Sequence, residues 1–512
     1  MKPSERDWES RLTELPLGSG GFSVRTIRKV KERIALEEKR KRRKKLPLAI
    51  ASLLAVSLAA VVFRPQIEGA LASWLGPGPK PVPVISETET TTFKIGYMYG
   101  SDDFMEKYGK PFIIRHPAVR FAFAEEAPLT VDIVAYKEWL ERERPDLIQI
   151  PLAYLDDLSA AGLLAELDPL LLRDGIDEQG YHRPVSQVLR EAGAGKLYGL
   201  ADTFATTGLF YNRELFAARG IPEPSGSLTW DETLALAAQF AGMEKDGQPV
   251  YGLSFGYRPG LSSNVMSIAL SLGMGMTTAD GSRSSLGSNA WESLWTPFVQ
   301  GYRDGWIANE AGMERGKNYA MTELYKLDPF LTGRSAMTFQ SNDYLRNIEE
   351  SREAIGFDAD WGILPAPALD EAARAQGQAM EIPYVLAISA GSSQTDAAWE
   401  LLKYIMSPEQ AERRSRTAGH ALYTVGQQST DAGARETFFY EAAIDPSLSL
   451  VLHEQQTSPA YQALYALAAE EGRARTDELL SGALTVERFL EELDRQAEQA
   501  LRELAAQEEE LP

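Results

Sequence analysis

The stretch Thr92–Tyr99, TFKIGYMY, decides the fold class of this chain. Its apolar residues Phe93, Ile95 and Tyr97 stand at every second position, the period at which one face of a β-strand is buried. A helical pattern follows at residues 103–110. The folded part of the chain is therefore expected to begin with a strand and then a helix.

The same order of strand and helix continues outward from this stretch. A second strand is predicted at Val119–Ala124, and a helix at Val131–Arg144 ends where Pro145 follows. A short buried strand is predicted at Asp146–Ile150. Strands that alternate with helices indicate βαβ units, so we expect an α/β fold with a parallel sheet covered by helices on both faces.

Helix starts are well specified further along the chain. Thr229–Glu232 (TWDE) places a threonine N-cap three residues before a glutamate, which is the capping-box pattern. Ser407–Gln410 (SPEQ) repeats that pattern with proline at the first helical position. The preceding helix is expected to begin at Thr395, and the acidic C-terminal segment has Leu490 and Leu493 at helical spacing.

The composition excludes several classes of protein. Of the 512 residues, 44 % are hydrophobic and 24 % are charged, which suits a chain with a buried core and excludes a wholly disordered or fibrous one. The absence of cysteine excludes disulfides, thiolate metal sites, cysteine nucleophiles and a lipid-modified N-terminal cysteine. His116, His182, His420 and His453 stand far apart, so we predict no metal site and no cofactor. The net charge of −21 argues against nucleic acid as a partner.

Charge and hydropathy change sharply near the N-terminus. Residues 1–45 hold 15 Lys or Arg against 7 Asp or Glu, a net charge of +8, which leaves −29 for the remainder. Seven consecutive basic residues, 39–45, precede 18 uncharged residues at Leu46–Phe63. Such a run is near the lower length limit for a transmembrane helix, and the basic block before it places the N-terminus in the cytoplasm.

We therefore predict a single-pass protein of the cell membrane with an extracellular main domain. Its first segments are a basic cytoplasmic tail at 1–45, a transmembrane signal anchor at 46–63 and a Pro-rich stalk at 64–92. The alternative is a secretory signal that is cleaved, for which Ser57 and Ala59 supply an A-x-A-like site.

Motifs that carry enzymatic chemistry are missing from the sequence. There is no G-x-S-x-G nucleophile elbow. Gly193–Lys196 (GAGK) lacks both the earlier glycine and the following Ser or Thr of a phosphate-binding loop. Adjacent acids such as Asp102 and Asp103 are expected by chance in so acidic a chain and do not identify glycosidase carboxylates. We therefore expect no catalytic residues.

Aromatic and polar residues at strand ends and loop starts predict a ligand-binding cleft instead. Aromatic rings stack on the apolar faces of sugar rings, while carboxylates and amides bind hydroxyl groups. The alternative is that the aromatic residues belong to the core and the acids to solvated surfaces. The candidate ligand-binding residues are Tyr99, Asp102, Asp202, Phe204, Tyr257, Asn342, Asp343 and Tyr384.

Four sets of residues resemble a known family in their order and spacing. They are Pro145–Gln149 with Leu158–Pro169, Leu209–Phe216 with Gly220–Pro222 and Thr229–Glu232, Phe330–Met337, and Ala398–Ile405 with Ser407–Gln410. Together they are similar to the extracytoplasmic solute-binding proteins of ABC importers, specifically the family 1 carbohydrate binders that include maltose-binding protein. The chain departs from typical Gram-positive members in having no lipidated cysteine. It also reads EIPY at Glu381–Tyr384, where the family has a glycine-rich stretch.

The resemblance implies a two-lobed periplasmic-binding-protein-like fold of class II, preceded here by the transmembrane helix. A ligand would be held between two α/β lobes that close around it. Lobe 1 would comprise residues 93–201 and about 333–382, and lobe 2 would comprise residues 205–330 and about 390–505.

The same resemblance implies where the chain passes from one lobe to the other. Crossings are expected at Asp202–Phe204, Phe330–Gly333 and Tyr384–Ser389.

The function implied by the resemblance is the capture of an oligosaccharide-like solute and its delivery to the permease subunits of an ABC importer, without bond chemistry. One alternative is a membrane-anchored sensor that signals through its cytoplasmic tail. A second alternative is a polysaccharide-processing enzyme. A neighbouring permease gene would favour transport, and a neighbouring kinase or sigma-factor gene would favour sensing.

Overall fold

A computed structural model describes residues 84–125, 132–257, 260–278, 280–309, 317–416, 421–425 and 433–510. The predicted tail at 1–45, the transmembrane segment at 46–63 and all but the end of the stalk at 64–92 lie outside these residues. Within the described ranges, every helix is too short or too polar to cross a bilayer.

The strands of the described residues form two larger sheets and one small hairpin. Their bounds are β1 Thr91–Gly96, β2 Val119–Phe123, β3 Leu147–Pro151, β4 Gly199–Leu200, β5 Thr203–Asn212, β6 Glu244–Lys245, β7 Gln248–Pro249, β8 Tyr251–Ser254, β9 Ser335–Ser341, β10 Trp361–Pro365, β11 Met380–Glu381, β12 Tyr384–Ile388 and β13 Leu422–Tyr423.

Helices connect these strands and cover both sheets. Their bounds are α1 Gly100–Phe104, α2 Lys110–Arg115, α3 Ile133–Glu143, α4 Leu155–Ala160, α5 Asp168–Asp174, α6 Arg183–Ala192, α7 Arg213–Arg219, α8 Trp230–Ala238, α9 Leu261–Ser271, α10 Asn289–Arg303, α11 Met321–Leu327, α12 Tyr344–Ile355, α13 Glu371–Gln376, α14 Thr395–Ile405, α15 Pro408–Ser415, α16 Gly433–Glu441, α17 Pro446–Thr457, α18 Pro459–Ala474, α19 Thr476–Ser481 and α20 Val486–Glu510. A π-helical turn at Met105–Gly109 joins α1 to α2, and 3₁₀ turns lie at Leu152–Tyr154 and Glu178–Gly180.

The first sheet has the strand order β2-β1-β3-β12-β4 and defines lobe 1. The strands β1, β2 and β3 are parallel, as the alternating pattern predicts, whereas β12 runs antiparallel between β3 and β4. Phe93, Ile95, Ile148 and Val385 are each at most 1 % exposed, because helices cover both faces of the sheet.

The second sheet has the strand order β10-β5-β9-β8 and defines lobe 2. One face packs against α8, α9, α10, α18 and α20 around the buried Trp291, Trp295 and Phe298. The other face carries Phe210 and Trp361, which belong to a hydrophobic cluster that continues into lobe 1. The two lobes therefore share one apolar cluster near the points where the chain crosses between them.

Three segments carry the chain between the sheets, and all three are held at the start of β5. The first crossing follows β4 at Ala201 and Asp202. The second runs from β11, which pairs with β5, to β12 in the first sheet. The third begins at β13, which also pairs with β5. The first residues of β5 thus hold the crossings side by side in a hinge.

The local predictions agree closely with these elements. The predicted strands at 92–99, 119–124 and 146–150 correspond to β1, β2 and β3, and the helix predicted at 131–144 is α3. Thr229 forms both hydrogen bonds of its capping box with Glu232 at the start of α8. Ser407 accepts from the backbone NH of Gln410 at the start of α15.

The predicted lobe boundaries require correction in the second half of the chain. Residues 333–382 lie in lobe 2 rather than lobe 1, because β9 and β10 both pair with β5. Phe330–Gly333 is consequently no crossing, since the chain belongs to lobe 2 before and after it. Residues 390–415 lie in lobe 1, because β12 occupies the first sheet and Trp399 of α14 donates to Asp174 of α5 at 2.9 Å.

Candidate functional site

A cavity of about 290 Å³ lies where the two lobes meet beside the second crossing. Lobe 1, lobe 2 and the crossing itself all contribute to its walls. The lining residues are Met98, Tyr136, Pro151, Leu152, Ala153, Tyr154, Glu381, Pro383, Tyr384, His453, Gln456, Thr457 and Gln462.

The topology of lobe 1 places its share of these residues at one edge of the sheet. Because β1 and β3 are parallel, Met98 after β1 and Pro151 at the end of β3 lie at the same carboxyl edge. The strand β12 is antiparallel, so its first residue, Tyr384, lies directly opposite Pro151. Ligands of open α/β sheets bind beyond the carboxyl ends of the strands, and this cavity occupies that position.

Tyrosine rings form much of the wall and the rim. The rings of Tyr136 and Tyr154 meet edge to face with centroids 5.2 Å apart. The rings of Tyr99 and Tyr384 meet in the same way at 5.2 Å, although 55 % of Tyr99 remains exposed. Burial, followed by the neighbouring Tyr384 hydroxyl, raises the pKa of Tyr99. These neutral aromatic surfaces suit the apolar face of a sugar ring.

Glu381 supplies the carboxylate of the cavity. Its backbone pairs with Ala205 of β5, so its position is fixed by the hinge. The residue remains exposed, but desolvation by the surrounding protein raises the pKa of the Glu381 carboxyl, and the negative charge of Asp343 raises it further. Glu381 also lines a second cavity of about 270 Å³ formed within lobe 2 by β5, the segment 365–381 and α17.

His453 connects the cavity with the second crossing. The residue is 4 % exposed, and its Nε2 accepts from the backbone NH of Ile382 at 3.0 Å. Burial lowers the pKa of His453 to about 4, so the ring is neutral and its proton is on Nδ1. One turn earlier on α17, the Ser449 hydroxyl accepts from the backbone NH of Met380 at 2.9 Å. The helix α17 thereby holds the crossing strand at two points.

Asp202 forms an ion pair with Arg414 at the first crossing. The Tyr108 hydroxyl donates to the same carboxylate at 2.5 Å, and the Arg414 guanidinium lies over the rings of Tyr108 and Tyr423. Burial acts to raise the pKa of Asp202, but the charge and hydrogen bond of Arg414 hold it below its ordinary value. The pair therefore joins the first crossing, α15 and the third crossing.

The structure brings together some of the predicted site residues. Tyr99 and Tyr384 are in ring contact at the cavity, and Asp343 is exposed at the start of α12, where its charge reaches Glu381. Asp102 is exposed in the first turn of α1. Tyr257 is half-buried in lobe 2 after β8.

Three predicted residues are engaged within the protein instead. Phe204 is 3 % exposed and stacks on His182 with centroids 4.7 Å apart, so it belongs to the core of the hinge. The Asn342 side-chain oxygen accepts from the backbone NH of Thr206 at 3.1 Å. Asp202 is occupied by the ion pair with Arg414. The structure therefore engages these three side chains within the hinge, and none of them is among the lining residues of the cavity beside the second crossing.

The prediction missed the cavity residues of α17 and α18. His453, Gln456 and Gln462 lie about 70 residues after Tyr384 in the sequence, and no local motif links them to it. One signal was present, because Glu381 stands where the resembled family has a glycine-rich stretch. Among the described residues, no group of three or more His, Asp or Glu side chains is placed to hold a metal ion.

Comparison with known proteins identifies the family. The family model for bacterial extracellular solute-binding proteins matches residues 132–412, more than half of the chain. A search of curated protein sequences gives no match.

Solved structures share the fold at low sequence identity. Family 1 extracellular solute-binding protein from Alicyclobacillus acidocaldarius has a TM-score of 0.56 and 14 % identity, over 81 % of this chain and 99 % of that one. The sugar-binding protein MalE of Xanthomonas citri has a TM-score of 0.52 and 18 % identity, over 82 % of this chain and 100 % of that one. A sugar transporter of Rhizobium etli, in an open conformation, has a TM-score of 0.51 and 18 % identity, over 80 % and 100 %. With its two lobes, its three adjoining crossings and its matched segment, the chain belongs to the family of bacterial extracellular solute-binding proteins.

Proposed function

We propose that the protein binds an oligosaccharide in the cavity between its lobes and delivers it to an ABC importer. The observation that carries this proposal is the cavity itself, whose walls come from lobe 1, lobe 2 and the second crossing. A ligand that contacts both lobes stabilises the arrangement in which they are close, so binding is coupled to hinge closure.

The chemistry of the lining supports a saccharide as the ligand. Tyr384 offers a half-buried ring, while Gln456, Thr457 and Gln462 offer side chains that donate and accept hydrogen bonds. Apolar walls with a few convergent polar groups are typical of small-molecule sites. Two of the similar structures are named as a sugar-binding protein and a sugar transporter, which agrees with this choice.

The ligand contacts that we propose follow from the placements above. Tyr99, Tyr384 and Asp343 contact the ligand at the cavity and its rim, and Asp102 and Tyr257 approach it from the outer ends of the cleft. Asp202, Phe204 and Asn342 support the hinge on which closure depends.

Membrane attachment and the permease partner also belong to the proposal. The uncharged run Leu46–Phe63 behind seven basic residues supports a signal anchor, which would keep the binding domain beside a permease. The same basic tail favours a second candidate function, a sensor that reports ligand binding to a cytoplasmic partner. Growth on the bound saccharide after deletion of residues 1–38 distinguishes them, because a transport role needs the anchor but not the tail.

Calorimetric titration of the full-length chain with a panel of oligosaccharides tests the binding function. The Tyr384→Ala variant should bind the preferred saccharide more weakly by about 1–3 kcal/mol, the scale of a lost aromatic contact or buried hydrogen bond. Tyr319→Ala, a half-buried tyrosine of lobe 2 outside the cavity, is the matched control and should keep the affinity.

Melting curves without ligand complete this test. Both variants should melt close to the parent protein. A Tyr384→Ala protein that melts several degrees lower but binds with unchanged affinity would assign this residue to the core and remove it from the site.

A further inference from the structure

We propose that the cavity beside the second crossing selects a saccharide that carries a protonated amine. This inference rests on the proposed saccharide-binding function and narrows its ligand to the class of amino sugars.

The first observation is an uncompensated negative charge. Among the described residues that line the cavity there is no Lys or Arg, and Glu381 is the one carboxylate. The Glu381 carboxylate forms no hydrogen bond or ion pair with any other described residue. Asp343 adds a second negative charge within electrostatic reach. The ligand site therefore has a net negative charge before any ligand enters.

The basic side chains beside Tyr99 and Asp202 are already paired. Lys107, whose Nζ lies 5.4 Å from the centre of the Tyr99 ring, forms an ion pair with Asp103 at 2.9 Å. Arg414 is engaged by Asp202 at the first crossing. Neither cation is available to Glu381 without losing its own partner.

Closure of the lobes around a ligand would remove water from the Glu381 carboxylate, which raises the free energy of its charged form. A carboxylate that is removed from water without a counter-charge is strongly disfavoured, so buried charges in proteins are paired. A neutral ligand would displace water from Glu381 and offer only neutral hydrogen bonds. An ammonium group supplies the missing charge through a charge-assisted hydrogen bond, which is roughly twice as strong as a neutral one.

A second, independent observation is the unused donor of His453. Its Nε2 is occupied by the backbone NH of Ile382, and its Nδ1–H has no partner among the described residues. The side chain is 4 % exposed and lines the same cavity as Glu381. The Nδ1 atom is still open to solvent, so an acceptor on the ligand, such as a hydroxyl or ring oxygen, would replace water there.

The two groups together define the ligand chemistry. Glu381 requires a donor with positive charge, and His453 requires an acceptor, while Tyr99 and Tyr384 present rings that attract cations and stack on sugar faces. A simple alkylamine would leave His453 without a partner, and a neutral sugar would leave Glu381 without a counter-charge. An amino sugar satisfies both.

Three β-1,4-linked trimers of the same length test this inference in the full-length chain. The three trimers differ in the group at carbon 2 of each sugar ring. This group is a hydroxyl in cellotriose, a neutral acetamide in N,N′,N″-triacetylchitotriose and an ammonium in the chitosan trimer. Calorimetric titration at a pH where the amines are protonated should give an affinity for the chitosan trimer on the order of tenfold above both neutral trimers.

Variants identify the group responsible for this preference. Glu381→Gln keeps the shape of the side chain and removes its charge, so the preference should fall to within about twofold. Glu470→Gln, at an exposed carboxylate on α18, is the matched control and should keep the preference. Unliganded melting temperatures of both variants should match the parent protein.

Three outcomes would overturn the inference. A neutral trimer that binds as tightly as the chitosan trimer would leave the saccharide function intact and reject amine selectivity. A preference that survives in Glu381→Gln would place the amine contact elsewhere. If none of the three trimers binds, the amino-sugar inference is rejected. The titration with the wider panel of oligosaccharides then tests the proposed saccharide-binding function separately.

Discussion

At the scale of single residues, the hinge depends on a histidine that is held neutral. The ring of His453 accepts a hydrogen bond from the backbone of the second crossing, and the same residue lines the ligand cavity. Nε2 can accept from the backbone NH of Ile382 only while it carries no proton, so the ring must stay neutral. Burial meets this requirement by lowering the pKa of His453 to about 4.

The stability of the hinge should therefore depend on pH through His453. Between pH 6.5 and about 4 the unfolded chain binds a proton at this residue that the folded protein does not bind, so stability is complete above pH 6.5 and decreases as the pH falls. His453→Gln retains an acceptor for Ile382 and removes the titration. Its melting temperature should consequently decrease less than that of the parent protein between pH 7 and 4.

A comparison of the two proteins isolates this contribution from other titrating groups. Burial raises the pKa of Asp328 to about 6, which opposes the effect of His453, but Asp328 is common to both proteins. Burial also lowers the pKa of His182 to about 4 in both. If the melting temperatures of the parent and the variant decrease by the same amount between pH 7 and 4, His453 does not titrate as described.

At the residue scale, position on a strand predicts which side chains lie at the carboxyl edge of the first sheet. Tyr99 and Tyr384 flank strands whose ends meet at that edge, and their rings are in contact, while their binding of a ligand stays a prediction. Phe204 has the same local pattern, yet its strand β5 begins inside the hinge and its ring is covered by His182. Sequence spacing does not reveal which face of a crossing strand will be covered.

At the scale of elements, the ion pair of Asp202 with Arg414 ties the first crossing to α15. Arg414 is 7 % exposed and its charge has few alternatives to this carboxylate, because the surrounding side chains are Tyr108 and Tyr423. The Thr424 backbone NH also donates to the Asp202 carbonyl at 3.1 Å, which joins the third crossing to the first. The hinge is therefore specified by polar contacts between crossings as well as by its apolar cluster.

Asp202→Asn should destabilise the protein by about 3–5 kcal/mol, because it leaves the largely buried Arg414 charge without a counter-charge. The double variant Asp202→Asn, Arg414→Met removes both charges and should regain part of that loss. Denaturant unfolding of the three proteins measures both effects. A double variant that is less stable than Asp202→Asn would contradict the pairing, because the replacement of Arg414 would then add a further loss of stability.

Prediction of the elements was accurate for local patterns and failed for long-range connections. The capping box of Thr229 and the alternation of β1 are specified by neighbours in sequence, and both are present. The assignment of β9 to lobe 1 was wrong because strand pairing is decided by contacts across more than 120 residues, such as Leu209 with Phe339. No local pattern at β9 distinguishes the two sheets.

At the scale of the whole molecule, an acidic main portion of the chain follows a basic N-terminal segment. The net charges of −29 and +8 fall on opposite sides of the uncharged run Leu46–Phe63. This asymmetry predicts the topology from physical principles alone, independently of the family.

Protease added to intact cells should remove the domain beyond Thr91 and leave residues 1–45 protected. The predicted topology has the tail in the cytoplasm, so antibodies to the tail should detect a membrane-bound fragment after digestion. A mature N-terminus near Ala60 would show instead that the segment is cleaved as a signal peptide.

Hydrogen–deuterium exchange with and without the tightest-binding saccharide tests the central claim most directly, namely that one ligand is held by both lobes at the second crossing. We expect slower exchange in three regions together: Pro151–Tyr154 of lobe 1, the crossing at Glu381–Tyr384, and His453–Gln462 of α17 and α18. Tyr384→Ala should weaken all three effects at the same ligand concentration. Slower exchange in one lobe alone, or in regions remote from this cavity, would contradict binding by closure at this site.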